Sequence, residues 1–158
     1  MPSSRRSLRR GAALLAVAGL AAASLGACST GSTTAPSATT PVISDAWVRP
    51  PIGADRPAAG YLTITNPGAG ADALVGVTSP IAMSCEIHET SMDSSGMAGM
   101  HPIDRLEIPA GGTVTLEPGG YHLMLMESEA MTVGSTVELR LEFETAGTVV
   151  VQAEVREG

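Results

Sequence analysis

Aromatic side chains are nearly missing from this sequence: Trp47, Tyr61, Tyr121 and Phe143 are the only four among 158 residues. Any core must therefore be aliphatic, drawn from the Ala, Val and Leu that dominate an apolar fraction of 44%. Positive charge is also scarce once the first ten residues, with Arg5, Arg6, Arg9 and Arg10, are set aside. Everything after them carries five arginines and no lysine against sixteen carboxylates, a net of −11. Such a surface repels nucleic acid, and a basic phosphate-binding groove is excluded. Cysteine is limited to Cys28 and Cys85. There is no nucleophile and base pairing of the hydrolase kind, no Gly-rich phosphate loop after a strand and no paired-carboxylate signature above a solvated acidic face. Enzyme activity is not expected. The length fits one domain of ordinary size.

The first 27 residues read as an export signal. Arg5 to Arg10 form a basic stretch, and Gly11 to Leu25 form an Ala/Leu/Val run too short to span a bilayer comfortably. The run ends in Leu25-Gly26-Ala27-Cys28, which resembles the bacterial lipobox, where the Cys is lipidated and becomes the new N-terminus. Ser4-Arg5-Arg6-Ser7-Leu8 also has the look of a twin-arginine signal. With Cys28 carrying lipid, Cys85 stands alone and no intramolecular disulfide can form. Residues 28–41 then make up the modified Cys and a tether, since Ser29 to Pro41 contains only Ser, Thr, Ala, Pro and Gly and cannot bury apolar surface. The expected location is extracytoplasmic, periplasmic or on the outer cell surface, anchored to the membrane through Cys28.

Residues 42–158 carry the punctuation of an all-β domain. Short β-rich runs at 42–48, 60–65, 73–77, 106–108, 113–116, 121–126, 137–143 and 148–155 are separated by turn residues such as Asn66-Pro67-Gly68 and Pro118-Gly119-Gly120. Val137, Leu139, Leu141 and Phe143 alternate strictly with polar residues. About eight or nine strands at this spacing predict a β-sandwich with no room for a long helix.

Methionine is what the sequence has in excess. Seven of its eight methionines lie between Met83 and Met131. In Tyr121-His122-Leu123-Met124-Leu125-Met126 the two-residue period puts His122, Met124 and Met126 on one face. An imidazole and a thioether projecting side by side can share one ion; equally, the methionines can fill core gaps and the histidine can sit at the surface. From Cys85 to His101, three methionines and two histidines lie in or beside a segment read as a Ser/Gly-rich loop. Repeated Met in a polar loop exposes apolar surface without a packing partner. Soft thioethers with imidazole are the donor set that suits Cu(I), whereas Zn²⁺ prefers Cys, His and carboxylate, and Mg²⁺ or Ca²⁺ prefer oxygen.

His88, Met100, His122 and Met124 stand at spacings that resemble the H(M)x10Mx21HxM signature of the bacterial periplasmic copper chaperones called PCuAC. The optional Met after the first His is Glu89 here, which leaves the four-residue set intact. Glu107 to Thr113, Pro118 to Met126 and Ala59 to Asn66 also look like that family, and the resemblance extends over roughly Val42 to Val155.

The resemblance implies a cupredoxin-like β-sandwich binding one Cu(I) through His88, Met100, His122 and Met124. It implies delivery of copper to an extracytoplasmic acceptor, either another copper chaperone or an oxidase subunit with the copper centre of a haem-copper oxidase. Thioethers suit that task, because they form no disulfides in an oxidising compartment. Met92, Met97 and His101 are candidates for a secondary site, with a second copper held as Cu(II), and leave copper storage or resistance as an alternative. An electron-transfer cupredoxin would need a Cys thiolate ligand. Cys85 lies three residues before His88, and on an uninterrupted strand that odd separation points the two side chains to opposite faces.

Overall fold

A computed structural model describes residues 39–158 apart from 54, 55, 93 and 95. The export signal, Cys28 and all but the last three residues of the tether lie outside the described residues.

Ten strands succeed one another: β1 (Val42–Arg49), β2 (Ala58–Thr65), β3 (Asp72–Thr78), β4 (Ser84–Met92), β5 (Ala98–Ile103), β6 (Leu106–Ile108), β7 (Thr113–Leu116), β8 (Tyr121–Met126), β9 (Thr136–Phe143) and β10 (Gly147–Val155). The all-β class expected from the turn spacing is found, and no helix occurs among the described residues. The strands form one sheet in the order β5-β4-β8-β7-β2-β1-β10-β9-β3-β6, with β8 also pairing with β2. The sheet curls until β3 approaches β4, giving a nearly closed barrel.

The count exceeds eight or nine because the segment read as a Met/His loop is a hairpin. β4 and β5 pair from Ile87↔Ile103 to Met92↔Ala98, and only the turn between them is loop. The Ser/Gly content that suggested a loop is concentrated in that turn, where Gly96 adopts φ +80°. A polar strand is held by its ladder hydrogen bonds whether or not it alternates cleanly, and β5 is an edge strand where polar residues are tolerated.

Inside the barrel the core is aliphatic. Leu62, Ile64, Leu74, Leu123, Leu125, Leu139 and Leu141 are all at most 1% exposed, each burial stabilising by roughly 1.5–3 kcal/mol. Gly60 allows β2 to approach β8 closely, since a Cβ there would meet Leu123 Cβ at 3.2 Å. Asp72 is buried, and it closes the β9–β10 turn by accepting hydrogen bonds from the backbone N–H groups of Ala73, Thr145 and Ala146 at 2.8, 2.9 and 3.0 Å. Burial alone would raise its pKa. The hydrogen bonds outweigh burial and hold the carboxyl below its usual value.

A bulge in β1 decides which aromatic residue faces outward. Ser44 pairs with Thr63 and Trp47 with Tyr61, so Asp45 and Ala46 stand opposite the single residue Leu62. Asp45 has φ 51°, a conformation that Asp tolerates better than most residues. The extra residue reverses the alternation: Ile43 shares the inner face with Ile64, whereas beyond the bulge Val48 turns inward, fully buried, and Trp47 turns outward. There it lies against Tyr61 with ring centroids 4.4 Å apart. The outer aromatic pair stands next to the candidate site.

Candidate metal centre

Strand register gathers the four residues of the motif. In β8, Leu123 and Leu125 point into the core, so His122 and Met124 project from the opposite, outer face. β4 runs antiparallel to β8, with His88 opposite His122 and Glu86 opposite Met124. On the other side of β4, Thr90 pairs with Met100 of β5, which sets Met100 diagonal to His88 on the same face. Residues separated by long stretches of chain thus become near neighbours across three adjacent strands.

The two imidazoles are 7% and 5% exposed, with ring centroids 5.8 Å apart. A metal held about 2 Å from a ring nitrogen lies roughly 3 Å from the ring centre, so this separation is within reach of a single shared ion. Each ring already has one nitrogen engaged. His88 Nε2–H donates to Glu86 Oε2 at 2.7 Å, and His122 Nδ1–H donates to the Gly120 carbonyl at 3.1 Å. That carbonyl also accepts from the Thr90 N–H at 3.1 Å, so the Pro118–Gly120 turn is tied to β4. The other nitrogen of His88, Nδ1, is buried with no hydrogen-bond partner. Leaving such an atom unpaired is costly unless something binds there. Outer hydrogen bonds that fix the tautomer of a histidine are the usual support of a metal-binding imidazole. The donor set therefore fits a soft ion.

Met100, His122 and Met124 line a cleft of about 310 Å³ together with Thr90, Ala59 and Tyr61. Met124 is half-buried, whereas Met100 is 61% exposed at the mouth. His88 does not line the cleft but lies beside His122 in the adjacent strand. Among the described residues no group of three or more His, Cys, Asp or Glu is placed to hold an ion. The other candidate donors on this face are the thioethers of Met100 and Met124.

Cys85 faces away from the site. It pairs with Leu125 on an uninterrupted β4 and packs against the core, as the odd separation from His88 predicted. Burial pushes its thiol up to about 11, only partly offset by a hydrogen bond with the Ser79 backbone, so it is not a thiolate at neutral pH. Met92, Met97 and His101 are not brought together as one set. Met92 is exposed at the end of β4 on the His88 face, Met97 is exposed beside the hairpin turn, and His101 pairs with Glu89 on the opposite face. Glu86, Tyr61 and the Gly120 carbonyl were missed in the sequence. Glu86 was findable, because it stands two residues before His88 on one strand and so shares its face; the Gly120 contact depends on turn geometry that residue types do not reveal.

Comparison with known proteins agrees with this geometry. Residues 42–155 match the family described as "Putative lipoprotein LpqE-like". The chain belongs to the LpqE-like family. It is accordingly an extracytoplasmic, lipid-anchored protein. A relative in Leifsonia xyli subsp. xyli, "Putative lipoprotein Lxx21020", is 34% identical over 116 residues, covering 73% of this chain and 69% of the relative. Among solved structures, the copper-bound PCuAC domain from PmoF2 is similar with a TM-score of 0.62 at 28% identity, covering 76% of this chain and all of that domain. The solution structure of CuI-DR1885 from Deinococcus radiodurans is similar with a TM-score of 0.58 at 34% identity, covering 84% and 87%. The nearly closed ten-stranded barrel of this LpqE-like protein is the cupredoxin-like fold of those PCuAC domains.

Proposed function

We propose that this LpqE-like lipoprotein is a Cu(I) carrier that holds one ion through His88, Met100, His122 and Met124 and passes it to an extracytoplasmic acceptor. The observation that carries the reading is the convergence of these four residues on one sheet face, with a buried, unpartnered nitrogen on His88. The similarity to a copper-bound PCuAC domain and to CuI-DR1885 supports the choice of metal and of oxidation state. Neutral ligands, two of them thioethers, bind Cu(I) without the permanence of thiolates. A mouth residue as exposed as Met100 offers an incoming ligand a place to enter. A membrane-bound acceptor such as the oxidase subunit bearing the copper centre of a haem-copper oxidase fits a carrier anchored through Cys28, because sharing one membrane raises effective concentration.

Competition against a chromophoric Cu(I) chelator tests the ligand set. The wild-type protein is expected to take up one equivalent. Met124→Leu, which nearly preserves volume, is expected to lose at least tenfold in affinity while changing stability by less than about 1.5 kcal/mol. Unchanged affinity would remove Met124 from the set. Uptake of several equivalents would favour storage, with Met92, Met97 and His101 holding further copper.

A further inference from the structure

The domain is strongly acidic, yet its few cations are unevenly placed. Of the five arginines after the signal, two are consumed by carboxylates. Arg105 pairs with Glu107 at 2.6 Å and with Glu144 at 2.7 Å, and Arg140 pairs with Glu138 at 2.8 Å. The other three form no ion pair among the described residues, and two of them, Arg49 and Arg56, lie at the candidate centre. Arg49 and Arg56 line the same cleft as Met100, His122 and Met124. Arg156 is stacked 4.6 Å over the Trp47 ring, and Trp47 and Arg49 line an adjoining hollow of about 550 Å³ that shares Arg49, Pro50, Ile52 and Pro118 with the cleft. Glu157 is the one carboxylate side chain lining either space among the described residues.

The rim that carries these charges is also apolar. Ile52 is 69% exposed, and with Pro50 and Pro118 it lines the cleft that the exposed Met100 thioether also lines, while Pro51 lines the adjoining hollow. An apolar centre ringed by arginines is the composition of a protein-binding surface. The field matters as much as the contacts. A net charge of −11 outside the first ten residues repels an acidic partner from most approaches. The cleft mouth is where that repulsion is locally reversed, so an acidic partner is turned toward the metal before it touches.

We propose that the mouth of this cleft is a docking surface for a copper-accepting protein domain whose own receiving site is ringed by carboxylates, with Arg49 and Arg56 as the residues that select and orient it. This inference rests on the Cu(I)-carrier reading. Copper then passes by direct ligand exchange at the exposed Met100 edge: a donor atom of the acceptor enters as one of the protein's ligands leaves, and Cu(I) keeps its oxidation state.

The test uses exported Cys28→Ser protein loaded with one equivalent of Cu(I), and two synthetic Cys-X-X-Cys peptides that differ only in flanking residues, four Glu or four Lys. Transfer is followed by stopped flow at low and high salt. The unaltered protein is expected to deliver copper about tenfold faster to the Glu-flanked peptide at low salt, with the preference collapsing at high salt. The Arg49→Glu, Arg56→Glu double variant is expected to reverse the preference, and the milder Arg49→Gln, Arg56→Gln pair to erase it if the reversal impairs folding. Equal rates to both peptides in the unaltered protein, or a preference untouched by the Gln pair, would overturn the proposal. Sedimentation with phosphatidylglycerol vesicles that the Gln pair abolishes, without any peptide preference, would overturn it in favour of a membrane-facing patch. Failure of the unaltered protein to retain one Cu(I) would instead overturn the carrier reading, and chelator competition on the same samples separates the two failures.

Discussion

Strands β9 and β8 follow the same alternation. In both, the apolar set is buried in the barrel: Val137, Leu139, Leu141 and Phe143 from β9, Leu123 and Leu125 from β8. They differ on the second face. β9 turns Glu138, Arg140 and Glu142 outward, where Arg140 and Glu142 are exposed and Arg140 is paired to Glu138. β8 turns outward His122, only 5% exposed, with Met124 half-buried. The outer face of β9 meets water, whereas that of β8 is set into the wall of a cleft beside Tyr61 and Met100. On the Cu(I)-carrier reading, that partial shielding is what would let His122 and Met124 hold an ion and still release it. The inner faces should therefore govern stability in both strands, and the outer face of β8 alone should govern metal binding.

The largest effect should come from the inner face of β8. Leu125→Ala removes a fully buried side chain and is expected to cost about 2–5 kcal/mol by chemical denaturation, while the folded fraction still takes up one Cu(I). Its counterpart on the outer face of β9, Glu142→Ala, is expected to stay within about 0.5 kcal/mol and leave copper uptake unaltered. A copper defect in Glu142→Ala would break the comparison.

Next in size is Asp72, which ties the β9–β10 turn to β3. Asp72→Ala orphans the three N–H groups of Ala73, Thr145 and Ala146 and is expected to cost about 2 kcal/mol. Because its folded pKa lies below the ordinary 3.8, its contribution is present above that value and is lost as pH falls through it toward the lower folded value. Denaturation of wild type and Asp72→Ala should converge below pH 4. A stability difference that persists unchanged in acid would mean that the carboxylate charge is not what holds the turn.

Glu86→Gln should separate metal binding from folding. Its thermal midpoint is expected to stay near that of the wild type, while Cu(I) affinity falls about tenfold, the usual size for loss of an outer partner to a metal-binding histidine. Ring ¹⁵N spectra of the apo protein should show His88 losing its preference for the Nε2–H form. The smallest effect belongs to Cys85→Ala, at about 1 kcal/mol or less. Copper stoichiometry should be unchanged, and a Cu(II) form of either protein should lack the intense visible band of a thiolate ligand. A band present in wild type and absent in the variant would place Cys85 at the metal.

The core pattern of β9 was legible because its alternation is uninterrupted, and β1 and β10 were legible as β-rich runs bounded by turn residues. That His122 and Met124 share one face was legible in the alternation of β8, and His88 and Met100 were singled out through the resemblance of their spacing to the PCuAC signature. The β4–β5 hairpin was not, since Ser, Gly and Met at 91–100 lack an apolar alternation and its ladder is built from backbone groups that composition does not report. Nor was the outward turn of Trp47, which depends on one extra residue at Asp45 and Ala46. The arginine-ringed mouth joins Arg49, Arg56 and Pro118 through tertiary folding, and their separation in the sequence gives no sign of it.

X-ray absorption at the copper edge of the Cu(I)-loaded protein tests the account most directly, because it reports which atoms touch the metal. The expected spectrum is that of one Cu(I) with mixed nitrogen and thioether-sulfur ligation, losing sulfur scattering in Met124→Leu and unaltered in Cys85→Ala. A first shell of nitrogen and oxygen alone, or short thiolate–copper scattering that disappears with Cys85, would contradict the assignment of His88, Met100, His122 and Met124 as the carrier site.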